Sequence, residues 1–136
     1  MDRQLITQKL ELLRHCLQRV ADRCPPTAAE LADDPDLQDI IALNLTRAVQ
    51  LCVDVAAHII STQKMTAPDT MGQAFEALAS AKIIDEHIAD RMKRAVGFRN
   101  IAVHSYETID WQIVHAVCTR NIDDFIQFAR AVDRWL

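Results

Sequence analysis

The chain has 136 residues, half of them hydrophobic and a quarter charged, with two glycines, four cysteines and a formal net charge of −4; residues 1–136 are expected to make one domain around one core. So little glycine excludes folds that depend on many tight turns or on glycine-rich phosphate loops, so β-sandwiches, P-loops and dinucleotide-binding fingerprints fall away. The net charge argues against a nucleic-acid partner, but residues 27–39 hold five acids (Glu30, Asp33, Asp34, Asp36, Asp39) and no Lys or Arg, whereas 91–99 hold Arg91, Lys93, Arg94 and Arg99 and no acid, so a local anion site stays open.

Ile6, Leu10, Leu13, Leu17 and Val20 recur at steps of four and three, which predicts a helix over about 2–22 that ends at Pro25 and Pro26. The acidic stretch that follows reads as a solvated loop, with Asp33 or Asp34 capping a second helix that has Pro35 in its first turn. Ile41, Leu45, Ala48, Cys52, Val55 and Ile59 carry that helix to about Ser61. Residues 61–69, with Pro68, read as a loop, and a short third helix is expected from about Thr70 to Ala81. A fourth begins at or just before Asp85, carries Ile88, Met92, Ala95 and Val96, and ends between Asn100 and Tyr106. A fifth, with Asp110 near its start, carries Cys118, Ile122, Phe125, Ala129, Val132 and Leu136. No hairpin dipeptide or sustained period of two interrupts this pattern, so the expected fold is all-α: an antiparallel bundle of four main helices plus one short helix.

The cysteines Cys16, Cys24, Cys52 and Cys118 form no CxxC and read as reduced, mostly buried small hydrophobes. No HExxH, ExxH or tight Cys/His cluster occurs, so neither a metal nor a cofactor is expected. The N-terminus is charged throughout and lacks a signal-peptide core, and no stretch approaches 18 uncharged apolar residues, so a cytoplasmic protein without a membrane partner is the expectation.

The densest group of reactive side chains runs from Gly97 to Tyr106. On a continuous helix Arg99 and Tyr106 share one face and Asn100 and His104 another, while Arg99 and His104 lie about 140° apart. Those two converge only if the helix ends or distorts there, or if a second subunit supplies one of them. Arg, Asn, His and Tyr within eight residues suit a phosphate ligand: the guanidinium offers a fork to non-bridging oxygens, and the imidazole exchanges protons near neutrality. With RNA, His104 is placed to act on a 2′-hydroxyl and Arg99 to stabilise charge building on phosphorus. The bland reading stands beside it, with Arg99 in ion pairs, Asn100 and His104 capping a helix end and Tyr106 packed with its hydroxyl wet. Asp54 and His58 share a helix face, more simply as a surface pair; His15, His87 and His115 lack partners, and Trp111 and Trp135 suit helix ends or an interface.

The segment GFRNIAVHSYETID resembles the signature of the HEPN family, in its HepT-like toxin branch, which carries Arg, four residues, His, one residue and Tyr. Here these are Arg99, His104 and Tyr106, with Gly97, Phe98, Asn100, Ile109 and Asp110 also fitting. Arg47, the segment 53–60 (VDVAAHII) and Phe75-Glu76-Ala77-Leu78 extend the resemblance over nearly the whole chain. The resemblance implies a HEPN-like homodimer whose two motifs line a shared cleft. It implies the toxin of a type VII-like toxin–antitoxin pair, a metal-independent endoribonuclease with Arg99 and His104 catalytic and Asn100 binding RNA. The implied partner is a minimal nucleotidyltransferase antitoxin that transfers AMP from ATP to Tyr106. Two alternatives stay open: a non-catalytic nucleotide-binding or adaptor subunit of a nucleotidyltransferase complex, and a plain helical dimerisation module.

Overall fold

In the computed structural model, which describes residues 2–136, the helices start where a short polar side chain accepts a free backbone N–H. Asp2 caps α1 (Arg3–Arg23), Thr27 caps α2 (Ala28–Ala32), Asp34 caps α3 (Pro35–Thr62), and Thr70 caps α4 (Met71–Ser80). Asp85 caps α5 (Glu86–His104) and Asp110 caps α6 (Trp111–Ala116). The last helix, α7 (Ile122–Trp135), follows α6 without a loop.

Two helices end in a way composition conceals. Lys64 (φ 55°) and Lys82 (φ 61°) take the left-handed position after α3 and α4 that glycine normally fills. In each case the following amide reaches back five residues, Met65 to the Ile60 carbonyl and Ile83 to that of Leu78, both at 3.0 Å. Both glycines lie instead inside helices, Gly72 in α4 and Gly97 in α5.

Every position assigned to the inner faces of the first two long helices is buried, and one contiguous apolar core joins them to α4, α5 and α7. Phe75 and Phe128 meet edge to face near its middle, with ring centroids 5.5 Å apart. Pairings along neighbouring helices run in opposite directions. Between α1 and α3 the Asp2 amide meets His58, Lys9 meets Asp54, and Cys16 and Arg19 line one groove with Asn44 and Arg47. Between α1 and α7, Arg14 pairs with Asp133 at 2.6 Å while Ala21 lies by Ile122. The bundle is antiparallel, as its short connections require.

Two expectations are corrected. The stretch 27–33 is not a loop: Thr27 accepts the Glu30 amide at 3.2 Å and Leu31 is fully buried, which sets a short helix, α2, against α3 and α6. The fifth expected helix is divided by a π-helical turn, Val117–Asn121. There the Thr119 hydroxyl donates to the His115 carbonyl at 3.0 Å, the acceptor that a regular helix reserves for the Thr119 amide. By length and composition α3 is apolar enough to cross a membrane, with mean hydropathy 1.5 over 18 residues, yet 56% of that window is buried in the bundle. Its burial fits the central helix of a core.

Candidate active site

The motif residues sit where α5 runs out. The helix continues through His104, and Ser105 leaves it at φ −147°, ψ 48° with its amide still bonded to the Ile101 carbonyl. Tyr106–Thr108 then form one 3-10 turn before Asp110 starts α6. Arg99, Asn100 and His104 therefore share an unbroken helix, which keeps Asn100 and His104 on one face and turns Arg99 about 140° from His104. Tyr106 lies beyond the helix end, so the face it would share with Arg99 on a continuous helix does not form. The reason is local: once Ser105 leaves the helical conformation the register is lost.

Arg99 is half-buried. Its Nη1 donates to Asn100 Oδ1 at 3.3 Å, and its buried Nε has no hydrogen-bond partner among the described residues. Among the described residues Arg99, Arg91 and Arg94 join no ion pair, whereas Lys93 is taken by Glu76. The basic stretch is thus mostly uncompensated, which suits an anionic ligand better than the bland reading. Asn100 and His104 are exposed, and His104 is the last residue of α5.

Tyr106 turns to a residue that sequence reasoning placed near the start of the second helix and gave no role. Its hydroxyl donates to Asp39 Oδ1 at 2.6 Å, and its ring meets Trp111 edge to face at 5.9 Å. Burial, then the bond and charge of Asp39, push the phenol above the usual tyrosine range. The side chain still keeps about a third of its surface open, at 36% exposed. Asp39 lies on α3, 67 positions away, and no local pattern connects the two. The only sequence signal was its membership of the acid-rich stretch.

Around the motif lies apolar surface. Ile101, Val103 and Ile113 are 46%, 48% and 62% exposed. Beside them a groove of about 560 Å³ is lined by Phe98, Ile101, Ile109 and Ile113 together with Arg91 and Arg94. A Cβ built at Gly97, which also lines this groove, would meet nothing within 4 Å.

The remaining candidates are not drawn into this site. Asp54 accepts from Gln50 and pairs with Lys9, while His58 receives the Asp2 amide, so the two do not form a dyad. His15 and His87 are exposed, and His115 Nε2 lies 2.9 Å from the Pro25 carbonyl. All four cysteines are free, with Cys24 half-buried and the others buried; burial raises the Cys118 thiol to about 12. Among the described residues no three His, Cys, Asp or Glu side chains converge as metal ligands.

The family model described as "Ribonuclease HepT-like" matches residues 13–132. An mRNA nuclease HepT of Shewanella oneidensis is 33% identical over 124 residues, covering 91% of this chain and 92% of that protein. Among solved structures, a toxin–antitoxin complex with AMP-PNP superposes with a TM-score of 0.91 at 30% identity, over 97% of this chain and 99% of that one. The tri-AMPylated Shewanella oneidensis HEPN toxin in complex with its MNT antitoxin gives 0.90 at 31% identity, over 98% and 99%.

Proposed function

The chain belongs to the ribonuclease HepT-like family, and from that premise we propose that it is the toxin of a HEPN/MNT toxin–antitoxin pair, a metal-independent endoribonuclease of the cytoplasm that a minimal nucleotidyltransferase neutralises by transferring AMP to Tyr106. His104 exchanges the proton of a ribose 2′-hydroxyl or of the leaving oxygen, Arg99 holds the phosphate and offsets the charge that builds on it, and Asn100 contributes a further polar contact. The active unit is a homodimer, each protomer one domain, with the two copies of the motif facing a common cleft.

The observation that carries this reading is the regular helix beneath the motif. On an undistorted helix Arg99 and His104 diverge, which supports a site completed by a second copy. Exposed Ile101, Val103 and Ile113 beside the motif supply the apolar surface on which such a copy could dock. Arg91, Arg94 and Arg99 join no ion pair among the described residues, which favours a phosphate-bearing ligand over a plain dimerisation module.

Expression without the antitoxin should arrest growth, and His104→Ala should relieve the arrest with a loss of RNA cleavage on the order of a hundredfold or more. Full toxicity of that variant would remove His104 from the chemistry. Incubation with antitoxin and ATP should add AMP-sized masses to the intact protein, and Tyr106→Phe should take none. Additions that persist in the phenylalanine variant would move the acceptor elsewhere.

A further inference from the structure

We propose that Asp39 is the general base for the modification of Tyr106, so that the toxin itself supplies the group that activates its own acceptor tyrosine. This rests on the reading of Tyr106 as the AMP acceptor and extends it to a residue on another helix.

Three observations carry the proposal. The first is geometric: the Tyr106 hydroxyl donates directly to a carboxylate oxygen of Asp39 at 2.6 Å, within reach for proton transfer without an intervening water. The second is that Asp39 has no competing partner. Among the described residues it lies in no ion pair, and no other side-chain donor reaches it within hydrogen-bonding distance. The third concerns the phenol. The environment holds it protonated at neutral pH, so a tyrosine oxygen that attacks phosphorus must shed its proton during the step rather than before it. A carboxylate hydrogen-bonded to the nucleophilic hydroxyl performs the same task in protein kinases, where the catalytic-loop Asp accepts the proton of the substrate hydroxyl. The ring is also held for reaction. Trp111 packs against it at 5.9 Å, while the side chain keeps enough open surface for a nucleoside triphosphate to approach.

The step balances as follows. Tyr106 Oη attacks the α-phosphorus of ATP and its proton passes to Asp39 Oδ1. The new O–P bond forms as the bond from the α-phosphorus to the bridging oxygen breaks, and pyrophosphate leaves with the electron pair. The product oxygen carries no proton, so its hydrogen bond to Asp39 ends with the reaction. The phosphodiester charge now beside the carboxylate, once that has released its proton to water, turns the modified side chain away from α3.

The test measures AMP transfer to the intact, folded toxin by its cognate nucleotidyltransferase with ATP, followed by intact mass spectrometry as toxin concentration is varied. Asp39→Asn keeps the size and a hydrogen-bond acceptor but removes the base. It should lower the maximal rate of the first addition on the order of a hundredfold and leave the half-saturating toxin concentration unchanged. Asp39→Glu should recover part of the rate, and Asp39→Ser, which has no carboxylate, should recover none. Circular dichroism and melting confirm which variants are folded. Transfer to Asp39→Asn at the wild-type rate overturns the proposal, and so does a loss confined to the half-saturating concentration, which would make Asp39 a docking contact. If Tyr106→Phe still accepts AMP, it is the acceptor assignment that fails, whatever the Asp39 variants do.

Discussion

Tyr106 is the only tyrosine in the chain, so its environment can be read without interference from another phenol. Its proton is favoured by burial and by the Asp39 carboxylate. Absorbance titration should therefore place its ionisation above the ordinary value of about 10, and Asp39→Asn should bring it down. An unshifted tyrosine in the wild-type protein would contradict the hydrogen bond. The sign of the linkage follows: a group whose folded pKa is raised contributes stability below the unfolded pKa, and that contribution is lost as pH rises through the folded one. The hydrogen bond to Asp39 therefore adds to stability at neutral pH, and that contribution is lost in alkali as Tyr106 ionises. Arg99, His104 and Tyr106 could all be picked out by residue type and spacing, because the motif is local. Asp39 could not, since its meeting with Tyr106 depends on how α3 packs against the end of α5.

Among the elements, the main helices follow their apolar periodicity closely, and their caps are the short polar residues that the sequence offers at each start. The helix ends are less legible. Lys64 and Lys82 occupy left-handed positions at a steric cost of about 1–2 kcal/mol per residue. Lys82→Gly, and separately Lys64→Gly, should raise stability by about 0.5–1 kcal/mol after allowing for glycine's larger unfolded-state entropy. Thermal or urea unfolding reads this directly, and a destabilised Lys82→Gly protein would show that the lysine side chain contributes contacts outweighing the strain. Periodicity missed α2 because five residues cannot display a period, and the π turn because one extra residue within a helix only shifts the apolar stripe. The stripe in fact passes from Val114 and Cys118 to Phe125, Phe128 and Val132 across that turn.

For the whole molecule, the decisive feature is that one protomer presents Arg99 and His104 in different directions. Light scattering should report twice the 15.4 kDa of the chain. Complementation then tests whether the site is shared. If each site takes Arg99 from one protomer and His104 from the other, mixing Arg99→Ala and His104→Ala protomers leaves one intact site in every mixed dimer, or roughly a quarter of wild-type RNA cleavage in a random mixture. No recovery would mean that both groups act within one protomer. Gly97 bears on the same surface. A Cβ there meets nothing within 4 Å among the described residues, so their packing does not account for a glycine in the middle of α5.

The amino-acid sequence by itself determined the all-α bundle, the order and approximate limits of its long helices, and the identity of the motif side chains. All of these follow from interactions between residues a few positions apart, where spacing is equivalent to geometry. The tertiary structure decided three further things: that α5 stays regular through His104, that Tyr106 leaves it, and that Asp39 accepts the tyrosine's hydrogen bond. Those depend on how helices distant in sequence come to lie together, which is settled by burial of the shared core and leaves no periodic trace along the chain.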